Sequence, residues 1–400
     1  MMASTDVIEI KVPYTLFGRG ALGRLGSVAL GLEAKNPLIV TDKGLMESGI
    51  IDMVRAALVT AGLKSHVFDE VTAEAPFRVV LKLRDTILEG GYDLLIGVGG
   101  GSAMDATKAA GVLAANPEGS IDELTSPGVL VTMAGRPPAK SVTTVLIPTT
   151  SGTGSEWSNI AIITSDPPDD RNYAVVSNLT IPDAVITDPD LTRGLPPRVV
   201  ADSGMDALTH AIGAYTSSRA NVYADMCAAT AIQLIGKSLR PAYANPAVCE
   251  EERYRLALAA SLAMLAGWVA GNGAEHMMNH AFHQKHVAHS HGARVGLLLP
   301  HVMEHNLIAM PERFADIARF LGEAAEGLSV MEAARRSVVA VRSLLSDLDI
   351  PQHLRDIGLT AADIPTVVHE YVTHWKSPVD AMCARPTGEK EVTEIFLKAL

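Results

Sequence analysis

Cysteine is scarce in this 400-residue chain: Cys227, Cys249 and Cys383 are the only three, far apart and without a CxxC pair. That excludes a disulfide framework and argues against a thiolate zinc site. Basic charge is also in deficit, with 33 Lys and Arg against 45 Asp and Glu, a formal net charge of −12. The basic residues form no dense run, which argues against nucleic acid or an anionic membrane surface as the main partner. Long hydrophobic runs are missing too. The longest, "LALAASLAMLAGWVAG" at 256–271, falls short of the roughly 20 residues a membrane span needs and reads as a helix buried in a helical domain. The first residues, "MMASTDVIEIKVPYTLFGRG", show no basic stretch followed by an apolar one, so no signal peptide is expected and cytoplasmic residence is the default expectation.

What is present is a globular composition, 48% apolar and 20% charged, in a chain long enough for two or three domains. Four short apolar runs end in polar or glycine-rich turns: "NPLIVTD" (36–42), "YDLLIGVGGGS" (92–102), "VTTVLIPTT" (142–150) and "DAVITDP" (183–189). Helical patterns such as "IIDMVRAALVTAGL" lie between them. Near-continuous apolar strands alternating with helices predict a parallel α/β sheet of Rossmann-like type. After "LPPRVVADSG" (195–204) the pattern changes to Ala/Leu/Met-rich helical stretches at 199–215, 221–239, 251–271, 329–347 and 388–399. The reading is α/β plus all-α: an α/β dinucleotide-binding domain over 1–193 and an all-helical domain over 194–400.

Two glycine-rich turns follow predicted strands. In "GVGGGSAMDATKAAG" (97–111), Gly99, Gly100 and Gly101 let the backbone turn tightly and approach a ligand, and Ser102 is the expected N-cap of the next helix. The first amides of that helix, which also carries Asp105, form a cradle for a phosphate or pyrophosphate. The spacing is neither GxGxxG nor a P-loop, and a tight turn without a ligand would read the same way. In "PTTSGTGSE" (148–156), Thr149, Thr150, Ser151 and Thr153 supply small hydroxyls at the end of another strand. Two such loops on neighbouring strands suit a dinucleotide, and Asp42 sits where a ribose-binding carboxylate is expected, which favours NAD over NADP.

Six of the 13 histidines crowd into "HMMNHAFHQKHVAHSHG" (276–292). Upstream, "SGMDALTHAIGAY" (203–215) places Asp206 and His210 one helical turn apart, a pair that either shares a divalent cation or simply hydrogen-bonds at a helix surface. His276 and His280 repeat that spacing, and His291 precedes Gly292 in an expected turn. Asp206, His210 and two of these histidines make a three-nitrogen, one-oxygen set that suits Fe²⁺ or Zn²⁺ rather than Mg²⁺ or Ca²⁺.

Together, "FGRGALGRLG" (17–26), "LLIGVGGGSAMDATKAAG" (94–111), "IPTTSGTGSE" (147–156), "DALTHAI" (206–212), "HSHG" (289–292) and "LLLPHVMEHN" (298–306) resemble the iron-containing (group III) alcohol dehydrogenases, whose fold is shared with glycerol dehydrogenase and dehydroquinate synthase. The resemblance implies a nucleotide-binding domain, a helical domain and a metal in the cleft between them. It implies NAD(P)-dependent interconversion of a small alcohol, diol or hydroxy acid with its carbonyl compound. It also implies Asp206, His210, His276 and His291 as ligands of Fe²⁺ (or Zn²⁺), His280 as the catalytic residue beside substrate and nicotinamide, and a homodimer or larger homo-oligomer. The chain departs from the family at Gly213, where a glutamate is usual, at Ala281, where a proline is usual, and at Asn172, where a lysine is usual. The segment from His276 to His291 is one residue longer. His283, Lys285, His286 and His289 are polar where the family often has apolar or aromatic residues; they either bind an acidic group on the substrate or face solvent on a loop. Rival readings are a metal-independent maleylacetate-reductase-like enzyme, a dehydroquinate-synthase-like lyase and a histidine-rich metal buffer. The intact ligand set argues against the first, the lack of a Lys/Arg cluster against the second, and the two glycine turns against the third.

Overall fold

The structure, a computed structural model, describes Ile8 and residues 10–125, 138–282 and 287–400. Two compact units account for it: Lys11–Thr150 with Gly154–Gly194, and Leu195–Leu400 with Ser151–Thr153 and the described residues Ile8 and Ile10. A single cut in the sequence does not anticipate that the loop residues Ser151–Thr153 group with the second unit.

The first unit is built on a six-stranded parallel sheet of β1 (Tyr14–Phe17), β2 (Pro37–Val40), β3 (His66–Phe68), β4 (Leu94–Gly99), β5 (Thr143–Pro148) and β8 (Ala184–Thr187), in the order β1-β8-β5-β4-β2-β3. The four apolar runs of the sequence are its four central strands. Alternate residues serve opposite faces. Leu38, Val40 and Leu95 pack with Val80 and Leu83 of α2 (Phe77–Gly90) and Ala106 and Ala110 of α3 (Gly101–Ala115). Ile39, Ile96 and Val145 pack on the other face with Val54 and Leu58 of α1 (Ile50–Thr60). Strands buried on both faces need apolar side chains at every position, which is why these runs show no alternation. The edge strands β1 and β3 are short and partly exposed, so they give no such run. An antiparallel pair, β6 (Ile160–Thr164) and β7 (Asn172–Val176), completes the unit. Asn172 is buried there, its Oδ1 accepting from Thr164 Oγ1 at 2.8 Å.

The second unit contains α4 (Pro197–Tyr215), α5 (Val222–Ala244), α6 (Glu250–Ala270), α7 (Ala274–His280), α8 (His291–Asn306), α9 (Val330–Asp347) and α10 (Glu389–Ala399), with shorter helices between. Its core joins Ala201, Met205, Leu208 and Ala211 of α4 to Ala228, Ile232, Ile235 and Leu239 of α5 and Ala259 and Ala263 of α6. Small residues bring these axes close: a Cβ on Gly204 would stand 2.3 Å from Leu239 Cδ1. Each large aliphatic side chain buried this way contributes about 1.5–3 kcal/mol. Among the described residues, no single helix is long and apolar enough to cross a membrane. The pair α6 and α7 passes together only with a 91° bend, and Leu256, Ala259, Ala263, Ala266 and Ala270 of α6 lie in the core.

His301 of α8 is 6% exposed, and neither ring nitrogen has a hydrogen-bond partner among the described residues. Burial, reinforced by the Arg342 charge, lowers its pKa from 6.5 to about 4. The folded state thus binds fewer protons than the unfolded chain, so stability rises with pH across that window. The contribution is fully present above 6.5 and is lost as the pH falls toward 4, at most about 3 kcal/mol. Melting curves between pH 4 and 8 should show a shallower acid limb for His301→Phe than for the wild type. Superimposable limbs would rule this contribution out.

Candidate active site

In the α/β unit, the glycine turn lies at the carboxyl end of β4. A Cβ on Gly99, whose φ is +153°, would fall 2.7 Å from Ala103 Cβ, so this turn admits no side chain. Helix α3 starts at Gly101 with the extended Gly100 as N-cap. Ser102, expected as the cap, lies inside the first turn instead, and its Oγ accepts from Glu74 N–H at 3.1 Å. The adjacent loop of β5 meets this turn: Thr149 N–H donates to Gly99 O at 3.0 Å, and Thr150 Oγ1 lies 3.6 Å from a Cβ placed on Gly100. Asp42 caps the short helix after β2, with Oδ1 accepting from Leu45 N–H at 3.0 Å. Its Oδ2 lies 3.8 Å from a Cβ placed on Gly99, so one carboxylate oxygen flanks the glycine turn.

Asp105, expected among the cofactor contacts, lies in a buried network. Its Oδ1 accepts from Ser155 Oγ at 2.5 Å and its Oδ2 from Ile162 N–H at 3.0 Å, with Lys108 Nζ 3.6 Å away. Burial raises its carboxyl and lowers the Lys108 ammonium, each opposed by the other's charge. Asp105 therefore ties α3 to the loop after β5. Ser151 and Thr153 belong to the helical unit, where a Cβ on Gly152, between them, would press within 2.7 Å of Ser203 Cβ on α4.

In the helical unit, three helices bring the acid and the imidazoles together. Asp206 and His210 lie one turn apart on α4, 3% and 4% exposed, and His276 on α7 is 2% exposed. His291, expected in a turn, is the first residue of α8, because Ser290 caps that helix by accepting from Ala293 N–H at 3.3 Å. Ser290 Oγ also donates to Asp202 Oδ2 at 2.6 Å, which ties the start of α8 to α4 one turn before Asp206. Gly292 makes the approach feasible, since a Cβ there would stand 2.0 Å from the Asp202 carbonyl oxygen.

His276 Nε2 and His291 Nε2 lie 3.3 and 3.6 Å from Asp206 Oδ1. Among the described residues, Asp206, His276 and His291 each offer a ligand atom within 4.8 Å of the others. His210 is outside that set. Its ring stacks on His276 with centroids 4.3 Å apart, and its Nδ1 is buried without a partner among the described residues. Burial raises the Asp206 carboxyl, but the surrounding imidazoles outweigh it and hold it below the ordinary range. Burial, with the His276 charge, lowers His210 to about 3. His276 goes the other way: burial lowers it, but the Asp206 and Glu275 carboxylates overcome that and raise it to about 9. An ionised carboxylate with imidazoles around it, one nitrogen of them orphaned, is a donor set that fits a borderline divalent cation.

His280, at the end of α7, is 7% exposed and held well below its usual pKa by burial and by His291. Its ring lies 5.5 Å from that of His291 and stacks on Trp375 at 4.7 Å. Trp375 closes a π-helical turn, Tyr371–Trp375, a distortion of the kind found at functional sites. Nothing local in the sequence marks Trp375, since only the tertiary fold brings it to His280. Glu275 is a second buried neighbour the sequence did not flag, 1% exposed with Oε1 3.8 Å from His276 Nδ1. At Gly213 a side chain would collide with the Asn272 carbonyl oxygen at 2.5 Å, which excludes the family's usual glutamate from this backbone. His289 is exposed at φ +73°, with Nδ1 3.4 Å from Arg198 Nη2. His283, Lys285 and His286 lie outside the described residues.

Comparison with known proteins bears on both units. A family model described as iron-containing alcohol dehydrogenase matches residues 13–189, and one described as the C-terminal part of the Fe-containing alcohol dehydrogenase family matches 200–400. The chain is 37% identical to a 1,3-propanediol dehydrogenase of Citrobacter freundii over 99% of its own length and 100% of the relative's. It is 36% identical to lactaldehyde reductase of Escherichia coli strain K12, covering 88% of this chain and 89% of that one. A crystal structure of a 1,3-propanediol oxidoreductase superimposes with a TM-score of 0.92 at 34% identity, covering 99% of this chain and 100% of the other.

Proposed function

Because the chain belongs to the iron-containing alcohol dehydrogenase family, we propose that it interconverts a small alcohol, diol or hydroxy acid with the corresponding carbonyl compound, using NAD(H) and a divalent metal, Fe²⁺ by family and Zn²⁺ by ligand chemistry alone. The observation that carries this reading is the convergence of Asp206, His276 and His291, from three helices, to within 4.8 Å. His210, with its orphaned Nδ1, is the fourth ligand. When bound, the metal supplies Lewis acidity toward the substrate oxygen.

The chain's own residues do the rest. The Gly99–Gly101 turn and the first amides of α3 hold the pyrophosphate, and the Thr149–Thr150 loop packs beside them. Asp42 keeps one oxygen for a ribose 2′-hydroxyl, and its charge disfavours a 2′-phosphate. His280, kept neutral by burial, accepts the hydroxyl proton at a ring nitrogen during oxidation and returns it during reduction. Trp375, stacked on it, limits its access to water. The relatives named for 1,3-propanediol and lactaldehyde support a short, oxygenated substrate.

The test uses protein stripped of metal anaerobically, reloaded with Fe²⁺ and assayed with NAD⁺ against simple alcohols, diols and matched ω-hydroxy acids. NADH formation that depends on the metal is expected, and its complete absence across the series would sink the reading. A preference for the acids would point to the polar residues around His286; no preference would remove that idea. In the same assay His280→Ala should keep its metal and lose turnover by about 10²-fold or more.

A further inference from the structure

Asn279 is fully buried on α7, between His276 and His280. Its Nδ2 lies 2.9 Å from His291 Nδ1, while its Oδ1 is buried without a hydrogen-bond partner among the described residues. In that orientation the amide donates, so His291 Nδ1 must accept and the ring proton sits on Nε2. Nε2 is the nitrogen 3.6 Å from Asp206 Oδ1, the one a shared cation needs as a lone pair. One side chain thus carries two faults, an orphaned oxygen and a neighbour in the wrong tautomer for metal binding.

A half-turn of the amide gives the oxygen a partner and corrects the tautomer, and sets the amide N–H2 where the unpaired oxygen stood. The oxygen and nitrogen of an Asn side chain occupy nearly the same positions, and their assignment follows from the hydrogen bonds around them. With Oδ1 facing His291, the Nδ1–H donates to it and the Nε2 lone pair is directed at Asp206. The His276 imidazole is already arranged this way: its Nδ1 lies 2.9 Å from the Asn272 carbonyl oxygen, which can only accept. We propose that Asn279 is the positioning residue for His291, its amide oxygen accepting the Nδ1–H and so fixing the tautomer and ring orientation that bind the metal. This rests on the reading of His291 as a ligand.

The test compares Asn279→Asp, Asn279→Leu and Asn279→Ala for Co²⁺ affinity by chelator competition and for the visible d–d spectrum of the loaded protein. Asp matches Asn in shape and, ionised, can only accept, whereas Leu has the same branching with bulkier ends and can do neither. Loss of an outer hydrogen-bond partner typically costs about 10–100-fold in metal affinity, so Leu and Ala are expected to weaken binding by that factor and to alter the spectrum. Asp is expected to bind at least as tightly as wild type with a wild-type spectrum. Melts of the metal-free proteins identify any variant that does not fold, and the Asp variant alone still decides, because weakened binding by a folded acceptor-only side chain contradicts the proposal. Leu and Ala binding as tightly as wild type would overturn the Asn279 role alone. A wild-type chain that binds no divalent ion would overturn the ligand assignment and this role with it.

Discussion

His276→Gln should lose bound metal and lower kcat/KM by at least about 10³-fold, because the Lewis acid it helps to hold is worth several kcal/mol to the transition state. Gln preserves much of the volume, so little cavity is left in a site where His276 is 2% exposed. It cannot reproduce the two-sided contact of the imidazole, which places Nδ1 2.9 Å from the Asn272 carbonyl oxygen and Nε2 3.3 Å from Asp206. Asp206 would also lose a hydrogen-bonding partner that, after the His210 charge, helps to offset its burial. Metal per chain by elemental analysis and kcat/KM with the best alcohol check the result together. Wild-type activity with a full complement of metal would remove His276 from the ligand set.

The second large effect is structural. Gly292→Ala would put a methyl carbon 2.0 Å from the Asp202 carbonyl oxygen and 3.2 Å from Asp206 Cβ. The obstacle is backbone, not the end of a flexible side chain, so α8 would have to move off α4. Overpacking of this severity is expected to cost about 3 kcal/mol or more, roughly 6–12 °C in Tm for a unit of this size. The same displacement would carry His291 away from Asp206, so metal affinity should fall with stability. Gly18, with nothing within 4 Å of its Cβ position but a φ of +140°, is a useful control whose cost is backbone strain alone. A Gly292→Ala protein that melts with the wild type would show that α4 and α8 tolerate a wider separation.

The central sheet was legible because burial on both faces leaves a simple signature. β2, β4, β5 and β8 are apolar runs ending in turns. Long helices such as α4, α5, α6 and α9 were legible from composition and period. The edge strands β1 and β3 were not, since an edge carries neither a continuous run nor a clean alternation. Helix α8 was hidden at its start because Ser290, His291 and Gly292 read as a turn; the Ser290 cap is visible in the sequence but competes with the glycine beside it.

At the site, spacing singled out Asp206 and His210, the family resemblance picked His276 and His291 from the histidine tract, and the glycine turns came from their position after strands. Helical spacing makes i and i+4 neighbours in any context, so such pairs are local properties of the chain. Which atoms face which is not local. Ser102 and Asp105 were assigned by position, yet one is bonded to Glu74 and the other to Ser155 and Ile162, partners 28 and about 50 residues distant. The stack of Trp375 on His280, the amide of Asn279 against His291 and the 4.8 Å convergence around Asp206 arise only when α4, α7, α8 and the π-helical turn pack together. The sequence by itself determined the chemical types available and the elements that carry them, because propensity and periodicity act over a few residues. The tertiary structure alone decided their contacts, because long-range packing selects among orientations that local sequence leaves equal.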